Sequence, residues 1–207
     1  MTPAQFCSAF GVSRETAGRL ALYVNLLKRW NARINLVAPA SLNDVWSRHI
    51  ADSAQLVALA PAGARSWIDL GSGGGLPGLP VAALAAEVAP GLRLTLIESD
   101  RRKAAFLATA AREMCLDVTV LARRIEALPA RPYDVVSARA LAPLDRLCAL
   151  AHRFKGPRTV FLFPKGARLD LELTAAATRW HIHAERIASR TNPEAAVLRI
   201  VELEPHT

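Results

Sequence analysis

The sequence predicts a three-layer α/β fold: a seven-stranded sheet of five parallel strands closed by a C-terminal hairpin, preceded by a helical extension. Three observations carry this. Short apolar runs alternate with helix-like segments from residue 66 to residue 180, the rhythm of a parallel sheet covered on both faces. The last two apolar runs, Ile182 to Ile187 and Val197 to Leu203, have no helix between them, and Arg190-Thr191-Asn192-Pro193 joins them as a turn. The first 60 residues read as helical instead.

In chain order, a helix begins after Ser13 as N-cap, with Leu20, Tyr23, Leu27 and Trp30 recurring at three and four residues. Ser41 followed by Asp44 has the spacing of a capping box and predicts a second helix through Leu59. Pro61-Ala62-Gly63-Ala64 is a connector, so residues 1–60 are expected to form an extension packed on a domain of residues 61–207. A strand from Ser66 runs into Gly71-Ser72-Gly73-Gly74-Gly75, and a helix follows from Leu79 to Val88. The remaining parallel strands are expected at Leu92 to Ile97, Val118 to Leu121, Tyr133 to Ser137 and Thr159 to Phe163. Helices are expected at Asp100 to Met114, Pro143 to Phe154 and Leu169 to Trp180.

Composition narrows the function. With 52% hydrophobic residues in 207 the chain can bury a sizeable core. No run of about 18 uncharged apolar residues occurs, because Glu87 interrupts the longest candidate, and the N-terminus lacks the basic-then-apolar plan of a signal peptide. A cytoplasmic location and no membrane partner are therefore expected. Cys7, Cys115 and Cys148 show neither disulfide nor zinc spacing, and His181 and His183 lack a third ligand, so no metal is expected. A net charge of +8 favours a phosphate-bearing partner.

Ligands of open parallel sheets bind beyond the carboxyl ends of the strands, which singles out Asp69 to Gly75, Glu98, Ile125 with Glu126, Arg139 and Lys165. Gly73, Gly75 and Gly78 match the G-x-G-x-x-G of dinucleotide enzymes, but Gly71-Ser72 would put strand and glycines out of step. The register Asp69-x-Gly71-x-Gly73-x-Gly75 follows the strand directly. It resembles the first motif of S-adenosylmethionine (SAM) methyltransferases. A ligand with a sulfonium, an amino acid moiety and a ribose diol suits carboxylates: Asp69 would organise the loop near the amino end, Glu98 would accept from the ribose hydroxyls, and Glu126 with Ile125 would face the adenine.

Several motifs then carry a closer resemblance. Lys28-Arg29-Trp30-Asn31, Arg48-His49-Ile50-Ala51-Asp52-Ser53, Asp69-Leu70-Gly71-Ser72-Gly73 with Leu76-Pro77-Gly78, Glu98-Ser99, Ser137-Ala138-Arg139-Ala140 and Lys165-Gly166 occur in order. Together they resemble the bacterial ribosomal RNA small subunit methyltransferase G family, also called glucose-inhibited division protein B. The resemblance implies a Rossmann-like class I SAM-dependent methyltransferase fold and methyl transfer from SAM to N7 of one guanine in 16S rRNA, with 16S rRNA or the 30S particle as partner and no DNA. It implies cofactor contacts at Gly71, Leu76, Ile125, Glu126 and Arg139, beside those expected at Asp69, Gly73 and Glu98. Pro164 stands where an apolar residue is usual before Lys165, and the last strand lacks a basic-aromatic pair common in the family.

Because N7 carries an in-plane lone pair, no general base is expected; Arg139 and Lys165 are the catalytic candidates, donating to guanine O6 or to phosphates. Lys165, Arg48, His49, Arg123 and Arg124 are the RNA-contact candidates, with His49 alternatively a partner of Asp52. A small-molecule methyltransferase would share the cofactor residues but leaves the +8 charge and the basic extension without a role.

Overall fold

The computed structural model describes residues 1–206. Thr2 caps α1 (Pro3–Phe10) through a reciprocal capping box with Gln5, and Gly11 ends it with a positive φ of 64°. Ser13 caps α2 (Arg14–Asn31) as its sequence position suggests, its hydroxyl accepting from Thr16 N. The apolar stripe of α2 is buried at Leu20, Tyr23, Val24 and Leu27, while Lys28 and Arg29 sit in the last turn, where the helix dipole favours cations.

Between residues 39 and 59 the structure departs from the single capped helix expected. A 3-10 turn (Pro39–Leu42), a π-helical segment (Trp46–Ala51), one α turn, α3 (Asp52–Ala54), and a second 3-10 stretch (Gln55–Leu59) follow one another. The capping box fails because the Ser41 hydroxyl is engaged elsewhere, donating to Ala38 O at 2.6 Å and facing His49 Nε2 at 2.7 Å. Helical π segments re-aim side chains and often occur at functional sites. Here the segment leaves Arg48 exposed and buries His49.

The sheet has the order β3-β2-β1-β4-β5-β7-β6, built from β1 (Ser66–Leu70), β2 (Arg93–Ile97), β3 (Val118–Leu121), β4 (Val135–Ser137), β5 (Val160–Lys165), β6 (Trp180–Ala188) and β7 (Ala196–Pro205). The first five strands are parallel, and β7 enters antiparallel between β5 and β6. Helices α4 (Gly78–Val88), α5 (Arg101–Glu113), α6 (Leu144–Ala151) and α7 (Leu169–Ala176) complete the fold. Trp180, expected to end α7, instead opens β6, where its ring is buried in the cluster that also holds Leu169 and Leu203. On one face of the sheet, Phe6, Leu20, Tyr23 and Leu27 share a core with Leu79, Leu96 and Phe106, so the N-terminal helices pack directly on α4 and α5. No described helix is long and apolar enough to cross a membrane.

Candidate active site

Strand order reverses beside β1, so the ends of β1, β2 and β4 open onto one crevice. The chain leaves β1 through a loop with positive φ at Gly71, Gly73 and Gly75, conformations that suit glycine. Four contacts fix it. Ser72 N donates to Ile97 O at 2.9 Å, and Gly73 N donates to Glu98 Oε2 at 2.9 Å. Glu98 Oε1 accepts from Asp100 N at 2.8 Å. From α2, Tyr23 donates its phenol proton to Gly74 O at 2.5 Å. Burial pushes that phenol above its usual range and keeps it a donor. The N-terminal helices thus hold the loop by a hydrogen bond that no local pattern announces.

A cavity of about 430 Å³ opens over this loop. Gly71, Gly73 and Leu76 line its base, Glu98 one wall, Ile125 with Glu126 another, and Arg139 a third. Arg123 and Arg124 are exposed at its rim. The structure therefore gathers these sequence-selected residues around one space.

Asp69 is placed differently. It is fully buried behind the loop and has no surface on the cavity. Its Oδ1 accepts from Ser137 Oγ at 2.7 Å, and Ser137 in turn accepts from Trp67 Nε1 at 2.8 Å. Its Oδ2 meets no donor in hydrogen-bond geometry, and a Cβ on Gly78 would lie 2.9 Å from it. Burial pushes the carboxyl up to about 6, moderated by the hydroxyls of Ser137 and Ser72, the Gly78 N–H dipole and the Arg139 charge. Asp69 therefore acts on the loop from below.

A pH dependence follows. The folded carboxyl binds its proton more tightly than the unfolded one, so its contribution to stability is complete below about 4 and is lost as pH rises through about 6. Asp69→Asn keeps an acceptor for Ser137 without the buried charge. Urea unfolding is expected to show the variant more stable than wild type at pH 8 by about 1–3 kcal/mol, with the difference vanishing near pH 4. Parallel stability profiles in the two proteins would refute this.

Arg139 stands where three parts of the chain meet. Its Nη2 donates to His49 Nδ1 at 3.0 Å, and its Nη1 lies 3.4 Å from Asp52 Oδ2. Asp52 Oδ1 accepts from Thr191 Oγ1 at 3.0 Å and Ser189 Oγ at 3.3 Å, which ties in the hairpin turn. Burial, with Arg139 and Arg48 nearby, lowers the His49 pKa to about 4 and keeps the ring neutral. Since Nδ1 accepts from Arg139, Nε2 carries the proton and donates to Ser41. His49 is thus a buried link rather than a surface group, and its partners are Arg139 and Ser41, not Asp52.

Lys165 lies outside the first cavity. Its Nζ pairs with Glu172 Oε2 at 2.7 Å and donates to Ala142 O at 3.4 Å, and its side chain is 10% exposed. It lines a second cavity of about 390 Å³, which shares Arg139, Ala140 and Ala142 with the first. Reading the sequence passed over Glu172, because an acid in the first turn of a helix is ordinarily a dipole partner. Leu141, a further wall of the first cavity, carried no signal at all.

A glycine loop beneath a strand-end carboxylate, on a sheet whose last strand runs antiparallel into position six, defines a class I SAM-dependent methyltransferase. Solved structures agree on the fold. The TehB-like SAM-dependent methyltransferase from Corynebacterium glutamicum superposes with a TM-score of 0.58 at 16% identity, covering 88% of this chain and 98% of that one. A mutant of MtNAS in complex with S-adenosylmethionine superposes at 0.56 and 14% identity, over 90% of this chain and 73% of its own.

Residues 17–196 match the family model described as rRNA small subunit methyltransferase G. The proteins named ribosomal RNA small subunit methyltransferase G are 51% identical in Cereibacter sphaeroides strain ATCC 17025, over 93% of this chain and 92% of that protein, and 52% identical in Rhodospirillum centenum, over 97% and 90%. The chain belongs to the rRNA small subunit methyltransferase G family and is an S-adenosylmethionine-dependent methyltransferase.

Proposed function

We propose that the protein transfers a methyl group from SAM to N7 of one guanine in 16S rRNA, acting on the rRNA or the 30S particle, by in-line displacement without a general base. The observation that carries this reading is the pair of adjoining cavities that share Arg139, one over the glycine loop and one beside Lys165. The first fits SAM. Bare loop backbone forms its base, nothing but Gly71 O approaches the open side of Gly73 within 4 Å, and Glu98 has lone pairs left after its two backbone contacts. In this reading Glu98 takes the ribose hydroxyls, Ile125 and Glu126 the adenine edge, and Gly71, Gly73, Leu76 and Arg139 the methionine end. Asp69 supports the loop from behind. When bound, SAM supplies an electrophilic methyl on a positively charged sulfur.

The protein's own part is alignment and charge. N7 attacks with an in-plane lone pair, so no proton has to leave first, and holding the base in line supplies most of the rate. His49 is unsuited to the role of base, because its free nitrogen already accepts from Arg139. Arg139 and Lys165 orient the base and its flanking phosphates, and Arg48, Arg123 and Arg124 extend the cationic surface.

Mass mapping of 16S rRNA from cells with and without the protein tests this: one 7-methylguanine is expected to vanish and to return on complementation. An unchanged methylation map would sink the proposal. RNA binding should weaken steeply with salt. Lys165→Ala is expected to leave SAM affinity intact by calorimetry while lowering methylation roughly ten- to a hundredfold; unchanged turnover would remove Lys165 from the site.

A further inference from the structure

We propose that the second cavity receives the target guanine and that Glu172, paired with Lys165, reads it, Glu172 accepting from the ring N1–H and Lys165 donating to O6. This rests on the guanine-N7 reading above and adds the residue that selects the base. The two cavities share Arg139, Ala140 and Ala142 in their walls, so a base in the second lies beside the space proposed for the methyl donor. Ala140, Ala142, Pro164 and Ala196 give it small apolar walls suited to a flat ring.

The order of polar groups then matches one purine. Lys165 Nζ is 3.4 Å from Ala142 O, in the wall common to both cavities, and 2.7 Å from Glu172 Oε2. Starting from the wall shared with the first cavity, the Lys165–Glu172 pair therefore offers a cationic donor and then a carboxylate, while the cavity's other ion pair, Arg139 with Asp52, is already engaged with His49, Ser189 and Thr191. Guanine, followed round from N7, presents the O6 acceptor and then the N1–H and N2–H donors. Adenine in the same pose would set its N6 amino group against the ammonium and its bare N1 against the carboxylate. Both contacts would be repulsive, and a site built to hydrogen-bond a base rejects one that leaves its polar groups unpaired.

Glu172 has the capacity for this task. Its Oε2 is used twice, by Lys165 Nζ and by Leu144 N at 2.9 Å, whereas Oε1 accepts from no group among the described residues. Its side chain is 27% exposed, and it lines the cavity. The Leu144 and Lys165 contacts hold the carboxylate in one orientation and leave its second oxygen for a ligand.

The test must separate base reading from a purely structural ion pair. In Glu172→Gln the carboxamide oxygen can still accept from Leu144 N and Lys165, but the amide N–H groups oppose guanine N1–H. Thermal stability and SAM affinity are expected to match wild type, while kcat/KM for 7-methylguanine formation on 30S particles from cells lacking the protein falls roughly ten- to a hundredfold. Wild-type kcat/KM in this variant overturns the proposal. A double variant, Lys165→Met with Glu172→Leu, replaces the pair by apolar side chains of similar size and covers the case in which the single variant folds poorly. A merely structural pair predicts near-normal turnover there, and a Glu172 that only positions Lys165 predicts the loss of Lys165→Met alone; either result would overturn the proposal, whereas base reading predicts a loss larger than in Lys165→Met alone. If the wild-type protein itself forms no 7-methylguanine, the guanine reading falls first, and that is decided before any variant is made.

Discussion

A Gly71→Val variant is expected to fold but to bind no SAM. Gly71 has a φ of 64°, which a β-branched residue adopts at a cost of about 1–2 kcal/mol. A Cβ at this position would also lie 2.5 Å from Leu141 Cδ1 and 3.3 Å from Leu141 Cγ, and valine adds two methyls beyond it. Leu141 borders the first cavity, where SAM is proposed to bind, so relief requires either the leucine to move into that space or the loop to turn over, and both close it. Calorimetry should detect no SAM binding, with the unfolding temperature lowered by roughly 2–8 °C. Wild-type affinity in the variant would place the cofactor elsewhere.

Arg139→Ala is expected to lose roughly two to three orders of magnitude in methylation rate, the scale of removing one preorganised charged donor from an active site. The residue borders both cavities, and its loss also strands Asp52 and His49, which are buried or half-buried around it. Arg139→Lys should recover part of the rate, because the charge returns without the planar fork that spans His49 and Asp52.

His49 gives a second readout of the same change. Its folded pKa of about 4 lies below the unfolded 6.5, so the stability it contributes is present above about 6.5 and is lost as pH falls through about 4. Removing the Arg139 charge raises the His49 pKa, and an NMR titration of the ring measures this directly. Normal turnover together with an unmoved His49 titration would show that Arg139 does neither job.

Much of the fold was legible because its signals are local. Ser13 caps α2, Asp100 caps α5 by accepting from Arg102 and Lys103 N–H groups, and β3 occupies the four residues its pattern suggested. The capping box at Ser41 misled because its hydroxyl has a stronger claim from His49, brought close by the π segment. Trp180 misled because helical spacing does not reveal that a ring at the start of β6 will be buried from the side.

The site divides in the same way. Gly71, Gly73, Glu98, Ile125, Glu126 and Arg139 were selected because parallel topology brings every strand end to one edge, wherever the strands fall in the chain. By itself, then, the sequence determined the parallel sheet with its closing hairpin, the register of the glycine loop, and which strand-end residues line the cavity over that loop, since each depends on periodicity or on position at a strand end. Only the tertiary structure decided that Asp69 lies behind the loop, that Tyr23 holds Gly74 across 51 residues, that Asp52 meets Thr191 across 139, and that Lys165 faces Glu172 in a separate cavity. These contacts arise from how helices and hairpin pack over the sheet, and packing between distant segments leaves no periodic trace in the chain.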